Sequence, residues 1–157
     1  MKLRNIALSL SALVLFTLPT VGAQEEKAPQ GKGWQTINGQ QYFIKEDGSK
    51  VTFSWIDRSY VDKDGKKVVG SFIYDENYKS YFYLKADGNY ADKEWIQDGN
   101  RWYYLLSGGY LATRQWIDDY FVNGSGAMMA KEWLFDPTYQ SMFYLNADGR
   151  YARKEWV

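Results

Sequence analysis

From residue 34 onward the chain repeats one order of apolar and polar positions. A tryptophan is followed by a polar turn, an aromatic triplet, a Gly turn, a small apolar stretch and the next tryptophan. The units are headed by Trp34, Trp55, Phe72, Trp95, Trp116, Trp133 and Trp156, at spacings of 21, 17 and 23 that then recur. Three units therefore make one long period, the interval from Trp34 to Trp95 and again from Trp95 to Trp156. Tyr81-Phe82-Tyr83-Leu84-Lys85-Ala86-Asp87-Gly88 answers to Met142-Phe143-Tyr144-Leu145-Asn146-Ala147-Asp148-Gly149 at that distance. Periods of this size mark an array in which each unit buries its apolar face against its neighbours. Aromatic and β-branched residues at the strand positions, with Asp-Gly turns at Asp47-Gly48, Asp87-Gly88 and Asp148-Gly149, predict a β-hairpin per unit. A single hairpin is marginal in water, so six must stack. The expected fold is all-β, a β-solenoid.

The triplets indicate which face does what. They are Gln41-Tyr42-Phe43, Ser59-Tyr60-Val61, Tyr81-Phe82-Tyr83, Trp102-Tyr103-Tyr104, Tyr120-Phe121-Val122 and Met142-Phe143-Tyr144. Alternate residues of a strand point to opposite faces. The middle position is aromatic in every unit and is expected to pack hairpin on hairpin. The first position varies from Gln and Ser to Tyr, Trp and Met, as expected of a half-exposed position where a ring serves in some units only.

Composition narrows the chemistry. Aromatics make up 18% of the chain, so many rings must pack together or stand exposed for a purpose. Lys plus Arg equals Asp plus Glu at 19 each, and no global field favours nucleic acid or an anionic membrane. There is no Cys and no His, which excludes disulfides, thiolate metal sites, His metal ligands and a His general base. No Gly-rich phosphate loop or nucleophile elbow is present, and the chain is expected to be non-enzymatic, with neither metal nor cofactor. Asp62-Lys63-Asp64-Gly65 has the start of a calcium loop but a lysine at a ligand position, and reads as a turn. Asp118-Asp119 reads as a solvated acidic pair.

The first 23 residues have the features of a secretory signal peptide: Lys2 and Arg4, an apolar run from Ile6 to Leu18, and Val21-Gly22-Ala23 before Gln24. Residues 24–33 read as a flexible polar leader, too short to be a module of its own. The array is expected to fill 34–157, six hairpins and a terminal stub at Trp156. The product is expected to be secreted, without membrane insertion once the signal is removed.

These units resemble the choline-binding, cell-wall-binding repeats of Gram-positive surface proteins of the pneumococcal type. The resemblance rests on Gly33-Trp34-Gln35, on Trp95 with Trp102-Tyr103-Tyr104-Leu105, on Gly126-Ala127-Met128 and on Tyr144-Leu145-Asn146-Ala147-Asp148-Gly149. It covers about residues 31–157. It implies a left-handed superhelix with three hairpins per turn, so that one long period would be one turn. It also implies choline as ligand, held between successive hairpins by two rings of one and a third from the next, and hence attachment to choline-bearing teichoic or lipoteichoic acid. A quaternary ammonium donates no hydrogen bond, so ring faces and shape must recognise it.

Carried over by position, the resemblance gives a set Trp116, Tyr120 and Tyr144, and a second set Phe72, Tyr81 and Tyr104. Trp95 and Trp102 form the strongest pair; Val122 stands where their third ring belongs, so that site is expected to borrow Tyr120 or lean on Met128 or Met129. Trp55, Tyr83, Trp34, and Trp133 with Met142 are weaker candidates, the last lacking a following hairpin. Asp75-Glu76-Asn77-Tyr78 and Asp136-Pro137-Thr138-Tyr139 are expected to form protruding loops with one shared structural job. Three other readings stand beside this one: a glucan-binding repeat module, a wall hydrolase for which no residues remain, and a surface adhesin anchored by its repeats to a host or surface protein.

Overall fold

The structure, a computed structural model, describes residues 31–153. The signal peptide, most of the leader and Trp156 lie outside them. Twelve strands pair in sequence order into six antiparallel hairpins. They are β1 (Gly33–Ile37) with β2 (Gln40–Ile44), β3 (Ser54–Ile56) with β4 (Ser59–Val61), and β5 (Ser71–Asp75) with β6 (Ser80–Leu84). The second copy follows the same plan with β7 (Glu94–Asp98) and β8 (Arg101–Leu105), β9 (Gln115–Ile117) and β10 (Tyr120–Val122), and β11 (Glu132–Asp136) and β12 (Ser141–Leu145).

Each second strand ends on a fully buried aliphatic residue: Ile44, Val61, Leu84, Leu105, Val122 and Leu145. Six positions further on, Lys50, Lys67, Tyr90, Leu111, Met128 and Tyr151 bridge back to them. This column holds the largest fully buried side chains, while the middle aromatics Phe82, Tyr103 and Phe143 pack hairpin on hairpin as expected, against Trp55, Phe72 and Trp116. Of the middle aromatics only Tyr42 and Phe82 are buried.

The same connector residues tie the hairpins together. The amides of Lys67, Tyr90, Leu111, Met128 and Tyr151 donate to the carbonyls of Gln41, Arg58, Tyr81, Trp102 and Asp119, each in the preceding hairpin. The next amide along, at Val68, Ala91, Ala112, Met129 and Ala152, donates to the connector's own hairpin. Each of these five connectors thus staples two hairpins through its backbone, which explains how two-stranded sheets persist in water.

Between strand and connector the chain reverses through six equivalent turns. A positive-φ glycine stands four residues after each buried aliphatic, at 48, 65, 88, 109, 126 and 149. The Asp-Gly pairs stand here, in the Gly turn that follows each aromatic triplet. Asp47, Asp87 and Asp148 accept the amide two residues on, and Asp62 closes its turn by accepting the amides of Asp64 and Lys66. A Cβ on Gly109 would lie 2.6 Å from Tyr90 and 3.2 Å from the Ala91 carbonyl, at a φ of +85°. Gly109→Ala is therefore expected to lower unfolding stability by about 1–3 kcal/mol in urea titration, from left-handed strain and overpacking together.

The buried column also fixes the register of the two short hairpins. In the longer hairpins Trp34, Phe72, Trp95 and Trp133 stand opposite the third triplet residue, Phe43, Tyr83, Tyr104 and Tyr144. In the short ones Trp55 and Trp116 stand opposite the middle residue, Tyr60 and Phe121. Ser59 and Tyr120 are therefore equivalent to Tyr42, Phe82, Tyr103 and Phe143, one place later than the triplets suggest.

Candidate functional site

With the register corrected, one set of positions recurs between successive hairpins. The tryptophan-position ring of one hairpin meets the ring two places before the buried aliphatic of the next. Trp55 lies 5.0 Å from Phe82, Phe72 5.0 Å from Tyr103, Trp95 5.5 Å from Tyr120 and Trp116 5.1 Å from Phe143. All four pairs meet edge to face, at 67–69° between planes. Two further positions complete each site: the residue three before the buried aliphatic of the first hairpin, and the bridging connector residue of the second.

The fifth and sixth hairpins leave a cleft of about 370 Å³ lined by Trp116, Asp118, Asp119, Tyr139, Phe143 and Tyr151, and the fourth and fifth form one with two indoles. Trp95, Trp102, Tyr120 and Met128 line a space of about 350 Å³, with Asp148 at its edge. Two indoles come from β7 and β8, and the phenol and thioether come from the next unit. Trp102 is 41% exposed, so one wall of the cleft is open to solvent. Tyr120 and Met128, both named as candidates from the sequence, thus line the same cleft as the two indoles. The third and fourth hairpins repeat the arrangement in a cleft of about 170 Å³ lined by Phe72, Tyr81, Tyr103, Leu111 and Ser125. Its first four residues are the counterparts of those lining the cleft with two indoles.

Several site residues expected from the sequence stand elsewhere. Tyr104 packs 5.2 Å from Trp95 within its own hairpin, and Tyr103 takes the place assigned to it beside Phe72. Tyr144 packs 5.2 Å from Trp133, and Tyr83 packs 4.9 Å from Phe72, each against the tryptophan-position ring of its own hairpin. Trp116 is joined by Phe143 and Tyr151 rather than by Tyr120 and Tyr144. The cause is the one-residue register difference of the short hairpins. Trp55 faces Phe82 and Tyr90, while the hairpin after Trp34 has Ser59 at the position where the later hairpins present a ring. Trp133 and Met142 are exposed.

The two longer loops have the common job their recurrence suggests. The carboxylates of Asp75 and Asp136 are buried, and each accepts two amides of its own loop, those of Asn77 and Tyr78 or of Thr138 and Tyr139. Each also accepts the indole N–H of the preceding hairpin's tryptophan, Trp55 at 2.7 Å and Trp116 at 2.6 Å. The Trp116 bond above all, then the loop amides, hold the Asp136 carboxyl below its ordinary range against the opposing effect of burial. Its contribution is thus present above the ordinary carboxylate range and lost as pH falls through the depressed value. The stability difference between wild type and Asp136→Asn, measured by urea unfolding, is expected to shrink steadily on acidification below about pH 4.

Among the described residues there is no group of three acidic side chains placed to hold a metal ion, and no helix is long and apolar enough to cross a membrane. The clefts offer ring faces, a thioether and scattered carboxylates. Such a surface suits a cation that makes no hydrogen bonds.

Comparison with known proteins gives the same picture. A family model described as "Putative cell wall binding repeat", of the choline-binding type, matches residues 32–50 and 93–111. The matched segments contain strands of the first and fourth hairpins, which are equivalent at the long period. The modular autolysin LytC of Streptococcus pneumoniae superposes at a TM-score of 0.78 with 44% identity, over 82% of this chain and 30% of that one. This chain belongs to the choline-binding repeat family. Choline binding protein F of Streptococcus pneumoniae is similar over 78% of the chain and 40% of its own length, at 27% identity and a TM-score of 0.56. A "Putative endo-beta-N-acetylglucosaminidase" of Streptococcus pneumoniae is 46% identical over 99 residues, 63% of this chain. The choline-binding chain spans only 15% of that relative, so the enzymatic name does not extend to it through the match.

Sequence reasoning missed Tyr103, Leu111, Phe143 and Tyr151. The signal that finds them is the constant interval from buried aliphatic to turn glycine, which holds through all six units and aligns the short hairpins with the long ones.

Proposed function

We propose that this chain attaches noncovalently to the bacterial cell wall by closing aromatic cages on the choline groups of teichoic and lipoteichoic acid. The observation that carries this reading is the convergence of Trp95, Trp102, Tyr120 and Met128 on one open cleft. Three rings around a trimethylammonium contribute roughly 0.5–2 kcal/mol each. The sum corresponds to about millimolar affinity at one cage. A polymer bearing many cholines and a protein bearing more than one cage raise retention by roughly 10²–10⁴ through avidity. Family membership supports the same assignment, and the region shared with the autolysin and the glucosaminidase is a small part of each. We read the array as a binding module without hydrolytic activity of its own. Export through residues 1–23, retention at the cell surface, and a left-handed winding with three hairpins per turn belong to the same proposal.

The purified mature chain should bind a choline-substituted resin at low salt and elute with free choline. Tryptophan fluorescence should titrate with choline and not with soluble glucan. A folded protein that washes straight through the resin, or one that responds to glucan alone, overturns the reading. Clearing of purified walls by the protein would overturn its non-enzymatic part.

A further inference from the structure

The residue after each turn glycine reaches back to a ring of the preceding hairpin. Lys66, Ala127 and Arg150 bridge in this way to Tyr42, Tyr103 and Tyr120, and Tyr110 packs 5.2 Å from Phe82. Its side chain therefore decides what stands at the rim of the adjoining cleft. At the cleft of Trp95, Trp102, Tyr120 and Met128 that residue is Arg150. Its Nε donates to the Tyr120 hydroxyl at 2.9 Å, and its guanidinium carbon lies 5.8 Å from the centre of the ring. Together these distances put the guanidinium beyond the hydroxyl edge of Tyr120, off the ring face. Arg58 and Arg153 stand closer to their rings, 4.0 Å from the centre of Tyr90 and 4.9 Å from that of Tyr151.

Among the described residues the Arg150 guanidinium bonds this hydroxyl alone, which leaves its Nη groups as donors. The neighbouring carboxylates are engaged in other ways. Asp148 accepts the main-chain amide of Arg150, and Asp119, read from the sequence as solvated, accepts from Arg153. The rim thus holds a cation with spare donors beside rings suited to a quaternary ammonium, the pairing that a zwitterion needs. One long period earlier the counterpart of Arg150 is Asn89, whose side chain turns back onto Asp87 at 3.1 Å. There Gln41 and Ser59 stand in the places of Trp102 and Tyr120. The arginine accompanies the cage with its rings and is missing where they have lapsed.

We infer that Arg150 is a specificity-determining residue: it takes the anionic phosphodiester through which choline is joined to its polymer, while the rings of the cleft take the trimethylammonium. This rests on the choline reading of the cages. Choline carries its one oxygen two carbons from its nitrogen, so any ester of it places the ester group within a few bonds of the caged cation, at the rim. A neutral carbon ester offers a guanidinium little. A phosphodiester offers two charged oxygens that match the fork of Nη donors. The cleft therefore reads choline esters by charge and favours the polymer-linked group over free choline.

The test compares free choline, O-acetylcholine and glycerophosphocholine by isothermal titration of the mature chain. At its tightest site wild type should prefer glycerophosphocholine to choline by about three- to tenfold, and acetylcholine should follow choline. Arg150 is exposed, so Arg150→Gln leaves the buried column untouched. That variant should lose the preference, with the loss falling on the phosphodiester. Trp95→Ala should lose it too, since the arginine acts only beside an occupied cage. A wild-type protein that binds none of the three ligands overturns the cage reading itself. Binding of all three without preference, or a preference that survives in Arg150→Gln, overturns the inference about Arg150 alone. So does an equal loss of choline and phosphodiester in Arg150→Gln, which would make the arginine a brace for Tyr120.

Discussion

Leu105→Ala is expected to remove about 2–5 kcal/mol of unfolding stability, enough to cancel much of the margin of a domain this size. Leu105 is fully buried in the aliphatic column and bridges to Leu111, so truncation leaves a cavity where the fourth hairpin meets its connector. That connector also carries the amide that staples the third hairpin through Tyr81, so slackening at position 105 spreads to two units. Urea or thermal unfolding followed by far-ultraviolet circular dichroism would read the loss. Truncation of the more exposed Trp133 should cost far less, and equal losses at the two positions would show that the column is not the core.

Trp95→Ala should have the largest effect on binding. Trp95 stands between Tyr104 on its own hairpin, at 5.2 Å, and Tyr120 on the next, at 5.5 Å. Its loss removes one cation–π face and releases the ring that positions the second. Intrinsic affinity for free choline at this site is expected to weaken by about five- to thirty-fold, the equivalent of about 1–2 kcal/mol. Retention on a choline surface should fall further, because fewer cages then engage one polymer and part of the avidity is lost. Titration with free choline separates the first effect from the second.

The periodicity is enough to read the hairpins, their number and the pairing of Trp95 with Trp102. Aromatic residues are large and rare, so their spacing stands out in a single sequence. The buried column is hidden for the opposite reason. Ile44, Val61, Leu84, Leu105, Val122 and Leu145 are single aliphatics beside more conspicuous rings, and nothing in composition marks them as the deepest residues. Aligning the short hairpins on their rings then places Tyr120 one position early. In a strand, a slip of one residue sends every side chain to the other face, and Tyr120 is accordingly matched to Trp116 instead of Trp95. The tyrosine rings beneath Arg58 and Arg153 are not legible as their partners in the sequence either. Arg58 and Arg153 occupy different places in the repeat, and only folding brings each over a tyrosine.

The cleft around Trp95 draws on three successive units. Its indoles come from the fourth hairpin, its phenol and thioether from the fifth, and its edge from the turn at Asp148 that follows the sixth. Gly149 in that turn lies against Met128, where a Cβ would stand 2.6 Å from the methionine methyl. Capacity in such an array consequently grows more slowly than length. Units nearest the trailing boundary act as a roof for cages that belong to their predecessors, and a deletion there would impair recognition two units upstream while every ring that touches the ligand remained in the chain.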